Sequence, residues 1–227
     1  MRGTWRWPQT SLLGTLGEAS RERLLEQGTI REYPADRVLI RMGDSTTFVL
    51  VLLEGIVKAT SVTSDGKEVL LAVRVGGDIV GEFAALDDRP RSSTVTACGP
   101  VVGCVLAQSD FRGILRRDET LAREVDRSVL GKLRSANERR VEFASYDAHT
   151  RVARVLRELA AAYGERSGNR ITLNWPLTQT ELASLSSVAE PTVQKALRRL
   201  RESGVIATGY RSLAIQDFSR LNKLAGP

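Results

Sequence analysis

An α+β fold in three consecutive parts is predicted for this chain: an antiparallel β-roll, one long helix, and a helix-rich module ending in a two-stranded wing. Three observations carry that reading. Short apolar runs punctuated by glycine fill residues 30–106, a proline-free stretch rich in Arg, Glu, Leu and Ala runs from Gln108 to Ser145, and two amphipathic segments joined by a tight turn lie near the end. The matching boundaries are 1–112, 113–146 and 147–227. A chain of 227 residues can bury two cores of modest size.

After Trp5, Trp7 and Pro8, residues Ser20 to Gln27 read as a short helix with Ser20 as N-cap and Leu24 and Leu25 inward. The runs Val38–Ile40, Phe48–Leu53, Ile56–Ala59, Val69–Val75, Ser93–Ala97 and Val101–Leu106 then read as strands. Breaks fall at Gly43, Gly55, Ser64-Asp65-Gly66, Gly76-Gly77 and Gly99-Pro100. Glu54-Gly55 and Asp65-Gly66 put glycine where a hairpin needs positive φ. The expectation is one antiparallel sheet closed into a roll or barrel.

In the long helical stretch, Leu121, Val125, Val129, Leu133 and Ala136 form one apolar stripe. A stripe needs a partner, and its own domain or its twin across a two-fold axis would both serve. Arg139, Arg140 and Glu142 interrupt it toward the end.

Asp147 to Thr150 reads as a hinge, with either Asp147 or Thr150 able to cap the next helix, Arg151 to Tyr163. Ile171–Leu173 is a short strand before Trp175-Pro176. Thr178 with Glu181 three residues on makes a capping box, Ser186-Ser187-Val188 turns, and Pro191 suits the first turn of a second helix. That helix hides Val193, Ala196, Leu197 and Leu200 and shows Thr192, Gln194, Lys195, Arg198, Arg199 and Arg201. With Val205-Ile206, Tyr210-Arg211 and Leu213–Ile215 as a wing, this is helix-turn-helix grammar.

The charge agrees with that division. Residues 148–227 hold 12 Lys and Arg against 6 Asp and Glu, whereas residues 1–147 hold 21 of each, so the whole net charge of +6 lies in the last third. A basic module on a neutral one suggests that the former meets a polyanion, here double-stranded DNA. Cys98 and Cys104 are the two cysteines, too few for a disulfide scaffold or a cysteine-only cluster, and no cofactor or metal is expected. No run of eighteen apolar residues and no leader is evident, which sets the expectation of a cytoplasmic protein without a membrane partner. The lone His149 completes no triad and no Gly-x-Ser-x-Gly elbow occurs, so no enzyme is expected.

The densest chemistry lies in Gly81-Glu82-Phe83-Ala84-Ala85-Leu86 and Pro90-Arg91-Ser92-Ser93-Thr94-Val95. Arg91 can fork two N–H bonds to a phosphate, Ser92 can add a third, and backbone amides after Gly81 can form an anion nest. Glu82 repels phosphate but would accept from a ribose hydroxyl. Phosphate plus ribose on one loop points to a nucleotide.

This pattern resembles the phosphate-binding cassette of the cyclic-AMP receptor protein/FNR (CRP/FNR) family of bacterial regulators, and the C-terminal part resembles their winged helix-turn-helix. The resemblance implies a dimeric transcription regulator whose first domain senses a cyclic nucleotide, cyclic AMP or a relative, with RNA polymerase as a further partner. It places ligand contacts on Gly81, Glu82, Phe83, Ala84, Arg91, Ser92 and Ser93. It makes the long helix the dimer seam and the cover over the base, where Asn137 can bond a purine edge and Ala136 cannot. DNA contacts fall on Thr178, Gln179, Glu190, Thr192, Gln194, Lys195, Arg198, Arg199 and Arg211, with Thr192, Gln194 and Lys195 near base edges and Arg198, Arg199 and Arg211 on phosphates. Family members often carry Arg-Glu where this chain has Glu190-Pro191, so its base preference is expected to differ. Two alternatives stay open: constitutive DNA binding with a vestigial or retuned pocket, and a nucleotide sensor that acts through protein contacts.

Overall fold

The computed structural model describes residues 5, 7–173, 178–209 and 212–226. Trp175, Pro176, Tyr210 and Arg211 lie outside the described residues. The chain forms two compact units, 1–134 and 135–227, each described by itself below.

The first unit opens with α1 (Leu12–Thr15) and α2 (Glu18–Glu26). Gly17, not Ser20, is the N-cap of α2; Ser20 is buried inside the helix, where its hydroxyl accepts from Arg23. The strands are β1 (Thr29–Tyr33), β2 (Val38–Ile40), β3 (Val49–Glu54), β4 (Ile56–Val62), β5 (Glu68–Val75) and β6 (Ile79–Val80). After α3 (Glu82–Asp87) come β7 (Thr94–Ala97) and β8 (Val101–Leu106). They form two four-stranded antiparallel sheets rather than one closed sheet, in the orders β1-β8-β3-β6 and β2-β7-β4-β5. β3 explains why two layers suffice, since successive side chains point to opposite faces. Leu50 and Leu52 pack with Ile40, Val57, Val80, Val95, Ala97 and Val101, whereas Val49, Val51 and Leu53 pack with residues of the helices.

Two helices follow, α4 (Gln108–Arg117) and α5 (Glu119–Ser145). The long helix therefore starts at Glu119, not at residue 113. Asp118 takes extended angles, and its Oδ1 accepts from the Leu121 amide at 3.0 Å while Oδ2 takes Arg23 Nη2 at 2.6 Å. A carboxylate that caps the new helix and holds a cation makes the break, and nothing in the apolar spacing announces it. The stripe on α5 then divides. Leu121 and Val125 are fully buried in the core with Leu24, Phe111 and Leu106, Val129 is half-buried, and Leu133 and Ala136 are exposed; Leu130 and Val141, outside the stripe, are 51% and 63% exposed.

The second unit contains the C-terminal turns of α5, then α6 (Ala148–Tyr163), β9 (Glu165–Ser167), β10 (Arg170–Leu173), α7 (Gln179–Ser186), α8 (Glu190–Glu202), β11 (Ile206–Gly209), β12 (Ser212–Ile215) and α9 (Phe218–Leu224). Asp147 is the cap of α6, accepting from the amides of His149 and Thr150. The strands form one sheet in the order β11-β12-β10-β9. Val193, Ala196, Leu197 and Leu200 are the buried face of α8. Among the described residues, no helix is long and apolar enough to cross a membrane.

Leu121→Ala is expected to cost about 2–5 kcal/mol of first-unit stability, whereas Leu121→Met, which conserves volume, costs less than about 1.5 kcal/mol. Urea denaturation followed by tryptophan fluorescence measures both.

Candidate ligand pocket and nucleic-acid interface

The ligand cassette is built where β6 runs into α3. Gly81 sits there with φ 84°, in the left-handed region, and a Cβ at this position would lie 2.6 Å from Arg91 Nη1 and 3.0 Å from the Phe48 carbonyl oxygen. Both the backbone angle and the close approach of a cation demand glycine. Arg91 comes from the loop before β7, and its main chain is tied to the loop after β2 by Gly43 N–H to Arg91 O and Arg91 N–H to Asp44 O, each 2.9 Å.

Arg91 is only 3% exposed, and a buried guanidinium must be matched donor by donor. Nη1 donates to Gly81 O at 2.7 Å, Nη2 to Phe48 O at 2.6 Å and Nε to Thr46 Oγ1 at 3.1 Å. The Phe48 ring lies 4.7 Å from the guanidinium carbon, a cation–π contact. These bonds use three of the five N–H groups of a guanidinium, leaving two with no partner among the described residues. Burial pulls the Arg91 pKa below the ordinary arginine value, and the carboxylates of Glu82 and Asp44 oppose it.

Glu82, first residue of α3, is also buried at 3%. Its Oε1 accepts from Lys132 Nζ of α5 at 2.7 Å, and the same ammonium donates to Ile79 O at 2.7 Å. Glu82 Oε2 has no hydrogen-bond partner among the described residues. Burial lowers the Lys132 pKa, and Glu82 works against that shift. Sequence reasoning missed Lys132. It lies 50 residues from Glu82 on a face assigned to apolar packing, and no local pattern marks such a pair. Asp78 completes the neighbourhood: burial pushes its carboxyl above the usual range, opposed by Arg74, by the bond from the Val75 amide and by Lys132.

Of the other expected ligand residues, Ala84 is buried within α3 and Phe83 is 38% exposed, its ring 5.9 Å from Lys132 Nζ. Ser92 is exposed and Ser93 half-buried beside Arg91 in the chain. Asn137 is exposed on α5 and belongs to the second unit.

In the second unit, the capping box is complete: Thr178 Oγ1 accepts from the Glu181 amide at 3.1 Å and Glu181 Oε2 accepts from the Thr178 amide at 2.9 Å. Ser187 takes φ 51° as the turn residue, and α8 starts after Ala189 with Pro191 at its second position. With the apolar face inward, Gln194, Lys195 and Arg198 are exposed, and they line a groove of ≈ 500 Å³ with Gln179, Pro191 and Arg201. Thr192 and Arg199 lie outside that set; Thr192 is half-buried, and Arg199 Nη1 is 3.3 Å from His149 Nε2 of α6. Glu190 is exposed, and its Oε2 accepts from Thr180 Oγ1 at 2.8 Å. Arg201, which reaches Thr208 Oγ1 of the wing at 3.4 Å, is a groove residue absent from the expected contacts, though the helical spacing had put it on the exposed face. Arg211, an expected phosphate contact, lies outside the described residues.

Comparison with known proteins fits these two sites. Residues 30–118 match the cyclic nucleotide-binding domain family and residues 150–224 the Crp-like helix-turn-helix domain family. Those two domains in this order define a DNA-binding transcription regulator with a cyclic nucleotide-binding domain. The chain belongs to the CRP/FNR family of transcription regulators. It is similar to the CRP-like cAMP-activated global transcriptional regulator of Mycobacterium tuberculosis, 27% identical over 194 residues, covering 86% of this chain and 87% of the relative. It is also 27% identical over 205 residues to the transcriptional activator protein FnrL of Cereibacter sphaeroides, covering 86% and 80%. Among solved structures, FixK2 from Bradyrhizobium japonicum superposes with a TM-score of 0.76 at 21% identity, over 88% of this chain and 98% of that one.

A carboxyl whose pKa is raised on folding binds more protons in the folded than in the unfolded state, so stability falls as pH rises from about 4 through the raised value. Asp78→Asn is expected to flatten that slope. Urea midpoints between pH 4 and pH 7 for wild type and variant measure it.

Proposed function

We propose that the protein is a homodimeric transcription regulator whose first domain takes a cyclic nucleotide, with cyclic AMP the first to test. The carrying observation is the junction of Gly81, Glu82 and Arg91. A buried cation keeps two N–H groups to spare, which suit a phosphate, and the carboxylate oxygen Glu82 Oε2 suits a ribose hydroxyl. The named activity of the Mycobacterium tuberculosis relative, activation by cAMP, supports this choice.

Lys132 supplies the link from ligand to helix. A sugar hydroxyl arriving at Glu82 meets a carboxylate already bonded to α5, so occupancy alters the Lys132 contact and is felt along a helix of 27 residues. The ligand must favour one arrangement of that helix over another, or it shifts nothing. The open apolar positions Leu130 and Leu133 on α5 supply the self-association surface. In the second unit, Gln179, Gln194 and Lys195 face base edges while Arg198, Arg199 and Arg201 meet phosphates, in the manner of a recognition helix in the major groove. Two-fold symmetry then sets half-sites on the order of 34 Å apart.

One observation favours a second reading, constitutive DNA binding. Glu82 is already paired with Lys132, and three neutral acceptors already hold Arg91 in place without a ligand.

Calorimetry with cyclic AMP and cyclic GMP on wild type and Arg91→Ala, beside duplex titrations with and without nucleotide, tests the proposal. Heats from wild type that vanish in Arg91→Ala, with tighter duplex binding in nucleotide, are expected. Duplex affinity should fall steeply with salt; Arg198→Ala should reduce the slope by about 1, whereas Lys195→Ala should relax base preference at one position. Equal weak heats from both proteins, with unchanged duplex affinity, would support the constitutive reading.

A further inference from the structure

We infer that Glu190 selects cytosine in the major groove and that Thr180 positions its carboxylate to do so. The inference rests on the DNA-binding reading above and adds the base that this position reads.

Glu190 opens α8, and its chain neighbour Pro191 lines the groove; Thr180 is the second residue of α7, and its neighbour Gln179 lines the same groove. The first turn of a recognition helix is the part that meets base edges. A carboxylate there is costly, because it approaches a polyanion. Nothing cationic holds it: Glu190 takes no ion pair among the described residues, and its one bond is from Thr180 Oγ1 to Oε2 at 2.8 Å. Oε1 keeps its acceptor capacity, and the Thr180 bond fixes where it points.

A carboxylate offers acceptors alone, and this decides among the four bases. Guanine presents N7 and O6, both acceptors, and thymine presents O4, so each repels Glu190. Adenine offers its N6 amine beside the N7 acceptor, which leaves one carboxylate oxygen facing a lone pair. Cytosine offers the N4 amine with no acceptor beside it. Selection by Glu190 is thus largely rejection of the other three, a discrimination built from repulsion as much as attraction. Thr180 is a positioning residue, since it acts through Glu190 and its hydroxyl is spent on that bond.

The bland account is that the Thr180–Glu190 bond ties α7 to α8 and that an acidic first turn suits the helix dipole. Base preference separates the two accounts, because a structural tie has no reason to favour a base.

The experiment is selection from a randomised duplex pool, followed by competition binding, with the full chain as wild type, Glu190→Gln, Thr180→Val and Thr180→Ser. Wild type is expected to show one position per half-site where cytosine is preferred at least about tenfold. Glu190→Gln should move that preference to adenine, since an amide matches N6 and N7 together. Thr180→Val should weaken the cytosine preference while thermal unfolding stays unchanged, and Thr180→Ser, which keeps the donor, should restore it. Salt-dependent duplex binding with the same base preferences in wild type and Glu190→Gln would overturn the inference and leave the DNA-binding reading standing. Absence of salt-dependent duplex binding in wild type would overturn both.

Discussion

Two buried charges at the β6–α3 junction constrain everything around them. Neither the Arg91 guanidinium nor the Glu82 carboxylate can be left unmatched away from water, where an uncompensated ion costs several kcal/mol. The chain meets that cost with groups from four places: the Gly81 and Phe48 carbonyls, the Thr46 hydroxyl and the Lys132 ammonium. Gly81 is required because a side chain would collide with the cation, and α3 starts where it does because Gly81 turns the chain in the left-handed region. The junction is thus held by its own bonds, while two Arg91 N–H groups and Glu82 Oε2 keep no hydrogen-bond partner among the described residues.

Lys132 ties the β6–α3 junction to α5 through Glu82 and the Ile79 carbonyl. Lys132 is one side chain of a helix whose earlier residues, Leu121 and Val125, are locked in the core and whose later residues are exposed. The same helix is therefore anchored in the core at its start, with its later apolar residues open. In the second unit polar matching is local. Asp147, Thr178 and Asp217 cap α6, α7 and α9, whereas α8 is fixed by its buried apolar face and leaves Gln194, Lys195 and Arg198 exposed. Buried apolar residues fix the helix, and its polar residues face outward.

How much of this is visible in the chain depends on the range of the interaction. Val101–Leu106, Asp65-Gly66, the Thr178–Glu181 box and Pro191 in the first turn of α8 are local signals, and the structure has them where the spacing put them. β6, with two residues, and β9, with three exposed ones, are too short to carry a period of two. The break at Asp118 depends on a contact with Arg23 95 residues away, and Lys132 meets Glu82 across 50. Such partners are set by how layers stack, and two sheets in place of one is the same kind of fact. Resemblance to a family pointed to Gly81, Glu82 and Arg91, but the bonds they make to carbonyls and to Lys132 span up to 50 residues and leave no local pattern.

Amide hydrogen exchange across the whole chain, with and without saturating cyclic AMP, tests most directly the coupling of the cassette to α5. The account predicts changed protection in two separate segments, residues 79–92 and residues 128–136, because a ligand at Glu82 must disturb Lys132. Protection confined to residues 79–92, with residues 128–136 exchanging as before, would contradict it.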